Sequence, residues 1–247
     1  MVLGVVTAAS AQPADPPLEV TTVVVPVVGS VIGATGVLWK TDLELHNDQP
    51  AELNVLLSLP AAGGERWQMV AIPPGESVRY VDVVGQAFGI DAALSPLVVQ
   101  TEGRRSVAIR ATAYGMRGAE VSPPQPIAVN YGPTYYPLRI LQNLSFNDEF
   151  RTNIGLANLS ERSAEFILAL QRVPGRNLAV NRVTLPPNAL WHTAIQSMFP
   201  MITSGDHFSV VVETPSPATY VYASVIENTT NRALFIPPMI TVSSARR

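Results

Sequence analysis

The sequence predicts an all-β chain made of two tandem β-sandwich domains related by internal duplication. Three observations lead there. Short blocks recur once in the same order, strand-like runs are punctuated by turn residues, and 22 prolines in 247 residues oppose long helices. Each copy holds about seven short strands, the count of an immunoglobulin-like sandwich.

Residues 1–17 read as a signal-peptide remnant and Pro-rich leader. Met1–Ala8 is apolar, Ala9-Ser10-Ala11 has the small-x-small cleavage pattern, and Gln12–Pro17 is polar and proline-rich. The first domain, 18–129, opens with the apolar run Leu18–Pro26. In Trp39–Asn47, Leu43 and Leu45 alternate with Asp42, Glu44 and His46, the period of a half-buried strand. Val55–Leu59, Val98–Thr101 and Val107–Ile109 are further strand runs, separated by Gly63-Gly64, Pro73-Pro74-Gly75 and Gly103. Val81–Phe88 is the one helical turn expected. The glycine-bearing stretch Val28–Gly36 precedes no helix, so it reads as a loop rather than a phosphate cradle.

The second domain, 130–247, repeats this plan. Thr134-Tyr135-Tyr136-Pro137 lines up with Val23–Pro26, and Phe150–Asn158 lines up with Trp39–Asn47 at the same offset of 111 residues. Phe166–Leu170 matches Val55–Leu59. After a two-residue insertion, Leu185–Asn188 matches Ile72–Gly75, Val211–Thr214 matches Val98–Thr101, and Tyr220–Tyr222 matches Val107–Ile109. Pro237-Pro238 echoes Pro123-Pro124, and Ala194–Phe199 echoes the helical turn. Thr41/Thr152 and Asn47/Asn158, kept in both copies, are expected to close strand ends by bonding backbone groups.

Composition narrows the function classes. Hydrophobic residues make up 47% of the chain, enough for a core, and charged residues only 14%. The net charge is −3 and no Lys/Arg run exceeds two residues, so no basic footprint for nucleic acid is present. The chain has no cysteine, which excludes disulfides and thiol chemistry. No apolar run reaches the roughly 18 residues of a membrane-spanning helix. With the leader, this points to a secreted, extracellular or cell-surface protein.

The duplication also filters candidate chemistry. Asp42, Glu44 and His46 share one strand face and could be imagined as a metal stripe. The second copy has Asn153, Gly155 and Ala157 there, so a solvated strand face is the expectation. Asp206-His207 beside Ser204 suggests a hydrolase, but neighbours on an extended strand point to opposite faces and build no triad. The chain is therefore read as non-catalytic, with no cofactor and no metal. Exposed aromatics could stack on sugars, with Trp67, Tyr135 and Tyr136 as the candidates.

Both ends of the repeat resemble interrupted junctions. An apolar strand opens the first copy, and the second leaves through Ile240 and Val242, matching Ile127 and Val129. The expectation is a head-to-tail homopolymer. In it a strand-exchange segment carrying Leu18, Val20, Val23, Val25 and Val27 adds to an edge of the next subunit. Other surface proteins or glycans are alternative partners. The blocks Gly36–Asn47 and Ile72–Gly75 resemble tandem Ig-like repeats of uncharacterised secreted bacterial proteins, over about Val23 to Pro238. That resemblance implies the module and is nearly silent about function; the expected surface or filament (pilus-like) role rests on the junctions. A periplasmic pilus chaperone is disfavoured, because its two domains are dissimilar.

Overall fold

The computed structural model describes residues 20–60, 64–103, 105–131, 136–173 and 175–240. The first half contains β1 (Val20–Ile32), β2 (Leu38–His46), β3 (Leu53–Leu59), β4 (Arg66–Ile72), β5 (Ser77–Tyr80), α1 (Val83–Phe88), β6 (Ala93–Glu102), β7 (Ala108–Arg117), β8 (Glu120–Val121), β9 (Gln125–Ile127) and β10 (Asn130–Tyr131). The second contains β11 (Leu138–Phe146), β12 (Phe150–Asn158), β13 (Ala164–Val173), β14 (Arg176–Leu185), β15 (Ala189–Ala194), α2 (Ile195–Met198), β16 (Gly205–Glu213), β17 (Thr219–Glu227), β18 (Ala233–Ile236) and β19 (Met239–Ile240). The fold is all-β and antiparallel, with one short helix in each half where the helical turns were expected.

Pairing follows one scheme in both halves. In the second, β14-β13-β16-β11-β19 forms one sheet and β15-β12-β17-β18 the other. In the first, β4-β3-β6-β1 and β5-β2-β7 repeat those neighbours, with β9 beside β7 and β10 beside β1, but β1 also pairs with β2 and β8 with β7, so all ten strands form one continuous sheet. The sheets pack face to face. Leu141, Phe166 and Val210 of one meet Ile154, Leu156 and Val221 of the other in a fully or nearly fully buried core. Leu43, Leu45, Leu57, Leu97 and Val99 do the same in the first half. Each such side chain contributes about 1.5–3 kcal/mol through burial.

The strand order differs from the immunoglobulin one at its margins. The pairs second–fifth and third–sixth are those of the immunoglobulin B–E and C–F strands. There, however, the first strand lies beside the second and the seventh beside the sixth. Here β1 lies along β6 and β7 along β2. The length of β1 shows how. It pairs with β6, bulges between Val25 and Val28 where Pro26 offers no N–H, and reaches β2 through Ser30–Ile32.

Pairing also corrects three of the sequence alignments. Val24 faces Val98, while Ile140 faces Val211, so Ile140 and not Tyr135 stands where Val24 does. The first hairpin is therefore five residues longer than the second (Val28 to Thr41 spans 13 steps, Leu144 to Thr152 spans 8). Its extra length is the Gly-bearing stretch, of which Val28–Ile32 is strand rather than loop. At the other end, Ile127 faces Ala111 and Ile236 faces Ala223, so Ile236 and not Ile240 takes the place of Ile127. Finally, Ile109 faces Leu45 and Val221 faces Leu156. Tyr220 and Tyr222 are thereby one residue out of step with Val107 and Ile109, which puts them on the opposite face of the sheet.

The repeated polar residues do close corners. Asn47 is fully buried; its Nδ2 donates to Ala51 O and Ile72 O, each at 2.8 Å, and its Oδ1 accepts from Gln49 N at 2.9 Å. Asn158 donates to Arg162 O at 2.7 Å and Leu185 O at 3.1 Å, and accepts from Ser160 N at 3.0 Å. Thr41 Oγ1 accepts from Gly29 N, and Thr152 Oγ1 donates to Ser145 O.

Candidate functional site: the cleft between the sandwiches

The outer face of β12 distinguishes the two halves. Along β2 buried and half-buried residues alternate, as befits a strand with one face in solvent. Along β12 the last five residues, Ile154–Asn158, are all buried. The inward side chains are equivalent, so the difference lies outside. Asp42, Glu44, Arg79 and Arg110 make a charged face on the first sandwich. Asn153, Gly155, His192 and Tyr222 occupy the same places in the second.

The face carrying Asn153, Gly155, His192 and Tyr222 packs on the first sandwich. Val24, Ala157 and Tyr220 form a small buried cluster, with Val98, Leu159 and Leu190 against it. β1 meets β17, β6 meets β15 and β9 meets β18. Phe235 of β18 reaches the first sandwich's core.

Gly155 shapes the site. A Cβ there would lie 2.0 Å from Tyr222 Cζ, so the Tyr222 ring lies flat across the glycine. It reaches His192 on the far strand, Nδ1 to hydroxyl 2.8 Å, and stacks on Phe235 with centroids 5.3 Å apart. Burial pushes the His192 imidazole down to about 4 and the Tyr222 phenol up, so both are neutral at pH 7.

Beside the contact lies a cavity of about 570 Å³. One wall is the long hairpin of the first sandwich, with Val31, Ile32 and Trp39, backed by Ala113 and Ile127. The other carries Tyr222, Phe235, Ile226, His192 and Arg151. Trp39 is held over Gly33, whose Cβ would come within 3.1 Å of the indole nitrogen. The Arg151 guanidinium donates to Asn228 Oδ1 and Asn231 Oδ1, both at 3.0 Å. Burial, then the nearby Arg117, lower its pKa. Lys40, on the same rim, is ion-paired with Asp82 at 2.7 Å. A smaller hollow of about 320 Å³ near Val37, Ser122 and Asn231 has no aromatic wall.

The sequence candidates fall elsewhere. In the proposed exchange segment, Leu18 lies outside the described residues and Val20 is exposed. Val23 and Val25 are core, and Val27 borders the cavity. Residues 20–25 are already paired with β6, and Val23 and Val24 with β10 as well, so this stretch is an interior strand of its own sheet. Trp67 is 70% exposed at the margin of a row through Ser58, Val98 and Val24, none of them aromatic. Tyr135 lies outside the described residues, and Tyr136 is half-buried.

The polar stripe on β2 is engaged by its neighbours. Asp42 binds Arg79 at 2.9 Å and His46 meets Ser77 at 3.0 Å. Among the described residues no group of three or more His, Cys, Asp or Glu could hold a metal ion. Asp206 accepts from Asn147 Nδ2 at 2.7 Å and His207 contacts Asn143 at 3.1 Å. His207 is not extended, as the sequence suggested; its φ of 56° marks the bulge opposite Asn143, whose φ is 58°.

Sequence reasoning missed the cleft, although a signal was present. Where β2 reads Asp-x-Glu-x-His, β12 reads Asn-x-Gly-x-Ala, and loss of a strand's charged face marks burial of that face. No protein family, curated protein or solved structure matches the chain.

Proposed function

We propose that the chain is a non-catalytic extracellular structural protein. In this reading it is a duplicated pair of immunoglobulin-related sandwiches that self-associates as part of a cell-surface assembly. The observation that carries the reading is an apolar row on the outer face of the second sandwich. Val180, Ala169, Val211, Ile140 and Met239 stand side by side across five strands. Val180 and Met239 are each 55% exposed, and the exposed Leu178 on the same strand as Val180 extends the patch. The matching row of the first sandwich, through Ser58, Val98 and Val24, is the one the second sandwich covers.

The occupant we assign to this patch is the same patch on a second copy. Repeating the internal contact head to tail would press the apolar row onto Asp42, Glu44, Arg79 and Arg110, desolvating charges with nothing to match them. A twofold contact buries apolar surface against apolar surface and is self-complementary. It replaces addition of the Leu18–Val27 strand as the preferred contact, since that strand would have to leave two neighbours first. Glycan binding draws support from Trp67 alone.

Sedimentation equilibrium tests the proposal. The chain is expected to dimerise, and Val180→Glu/Val211→Glu to be monomeric with an unchanged near-ultraviolet circular dichroism spectrum. A wild-type chain that stays monomeric at 0.1 mM (on the order of 10⁻⁴ M, the weak end of specific association), or a double variant that still dimerises, overturns it.

A further inference from the structure

We propose that the cleft between the sandwiches binds an amphipathic anion, an apolar body with a carboxylate or sulfonate head, and that Arg151 receives the head. The reading is independent of self-association, which uses another surface.

Three observations point this way. The cavity, about 570 Å³, lies at a domain boundary and within the roughly 300–1,000 Å³ range of small-molecule sites. Its walls are mostly apolar, with Val31, Trp39, Tyr222 and Phe235 converging from both sandwiches. The polar groups are few and unequal. His192 Nδ1 and the Tyr222 hydroxyl bond one another, and Lys40 is held by Asp82. Arg151 is different. Its described partners are two neutral amide oxygens, which use two of the five N–H donors of a guanidinium. Arg117 stands close enough to act on it as a like charge. A half-buried cation held by neutral acceptors beside a second cation favours an anion, and a planar guanidinium suits a two-oxygen head. The apolar walls exclude a free inorganic ion as the preferred occupant, because such an ion would lose hydration without gaining contacts.

The long hairpin of the first half builds part of the cavity wall. The five extra residues between Val28 and Thr41 extend over the second sandwich and supply Val31, Ile32 and Gly33 to the wall. The shorter turn of the second half, closed by Asn147 N donating to Phe150 O, has no such extension.

Two fluorescent probes decide the matter, the anionic anilinonaphthalene sulfonate and the neutral N-phenyl-1-naphthylamine. Both are titrated into the Val180→Glu/Val211→Glu chain, so that the outer patch does not contribute. Both are expected to bind and to be displaced by dodecanoate. Arg151→Gln should weaken the anionic probe about tenfold and leave the neutral one unchanged, with Arg151→Lys intermediate. Ala113→Trp, which fills the cavity from the first sandwich without touching Arg151, should abolish both. The inference is overturned if neither probe binds. It also fails if natively folded Ala113→Trp still binds them, or if Arg151→Gln affects the two probes alike.

Discussion

Removing Asn47 should destabilise the first sandwich by about 2–3 kcal/mol. The side chain is fully buried and makes three bonds, to Ala51 O, Ile72 O and Gln49 N. Each buried bond of this kind contributes about 1 kcal/mol net, and Asn47→Ala strands its partners. Some regain water at the turn, so the total falls slightly below the sum. Asn158→Ala should cost a similar amount in the second sandwich, where the same bonds recur. Asn47→Asp separates hydrogen bonding from shape. The carboxylate keeps the acceptor for Gln49 N but turns a second oxygen toward two carbonyls. At pH 7 it should be at least as damaging as alanine. Its pKa should be raised in the fold, so the folded state takes up a proton first and the deficit shrinks as pH falls. The assay is urea unfolding followed by tryptophan fluorescence. A Trp191→Phe background reports on the first sandwich through Trp39 and Trp67; a Trp39→Phe/Trp67→Phe background reports on the second. If Asn47→Ala costs under about 0.5 kcal/mol, or Asn47→Asp matches wild type at pH 7, the side chain is not holding the corner and the argument fails.

Three further outcomes are expected. Gly155→Ala should cost about 1–3 kcal/mol, because its Cβ falls on the Tyr222 ring. In a cycle with Tyr222→Ala the two changes should couple strongly, since without the ring the methyl group has room. His192 should make stability pH-dependent: its folded pKa of about 4 lies below the unfolded 6.5, so the unfolded chain binds the extra proton between those values. Stability is then fully present above pH 6.5 and falls as pH drops toward 4. The loss is about 3 kcal/mol at most, and the wild-type versus His192→Gln difference in urea midpoints across that window measures it. Tyr222→Phe should cost about 1 kcal/mol by removing the His192 contact, read by the same unfolding assay.

What was legible in the sequence was whatever depends on one face of a strand. Leu43, Leu45, Leu156 and Ile154 announce their inward side by alternation, and the buried Asn47 and Asn158 announce themselves by recurring at the end of the same strand. The two cores and the corners follow from such signals; the strand order does not, since β1 lies along β6 and β7 along β2 rather than in the immunoglobulin places. The cleft depends on the other face, which differs between the two halves, so nothing that recurs between them points to its residues. The match of Tyr220–Tyr222 to Val107–Ile109 shows how. It is convincing as a run of β-forming residues, yet shifted by one. With a side-chain period of two, that single step moved both tyrosines from the contact face to the core. Nothing local in the run corrects it. The correction comes from the partner strand, where Gly155 leaves room for a ring that only Tyr222 is placed to fill. Glycine in a strand that otherwise packs well signals the close approach of something from outside that strand. Here what approaches is a tyrosine ring, and over it the first sandwich. Asn153, Gly155 and Ala157, which stand where the first half has Asp42, Glu44 and His46, thus mark the face on which the two sandwiches meet.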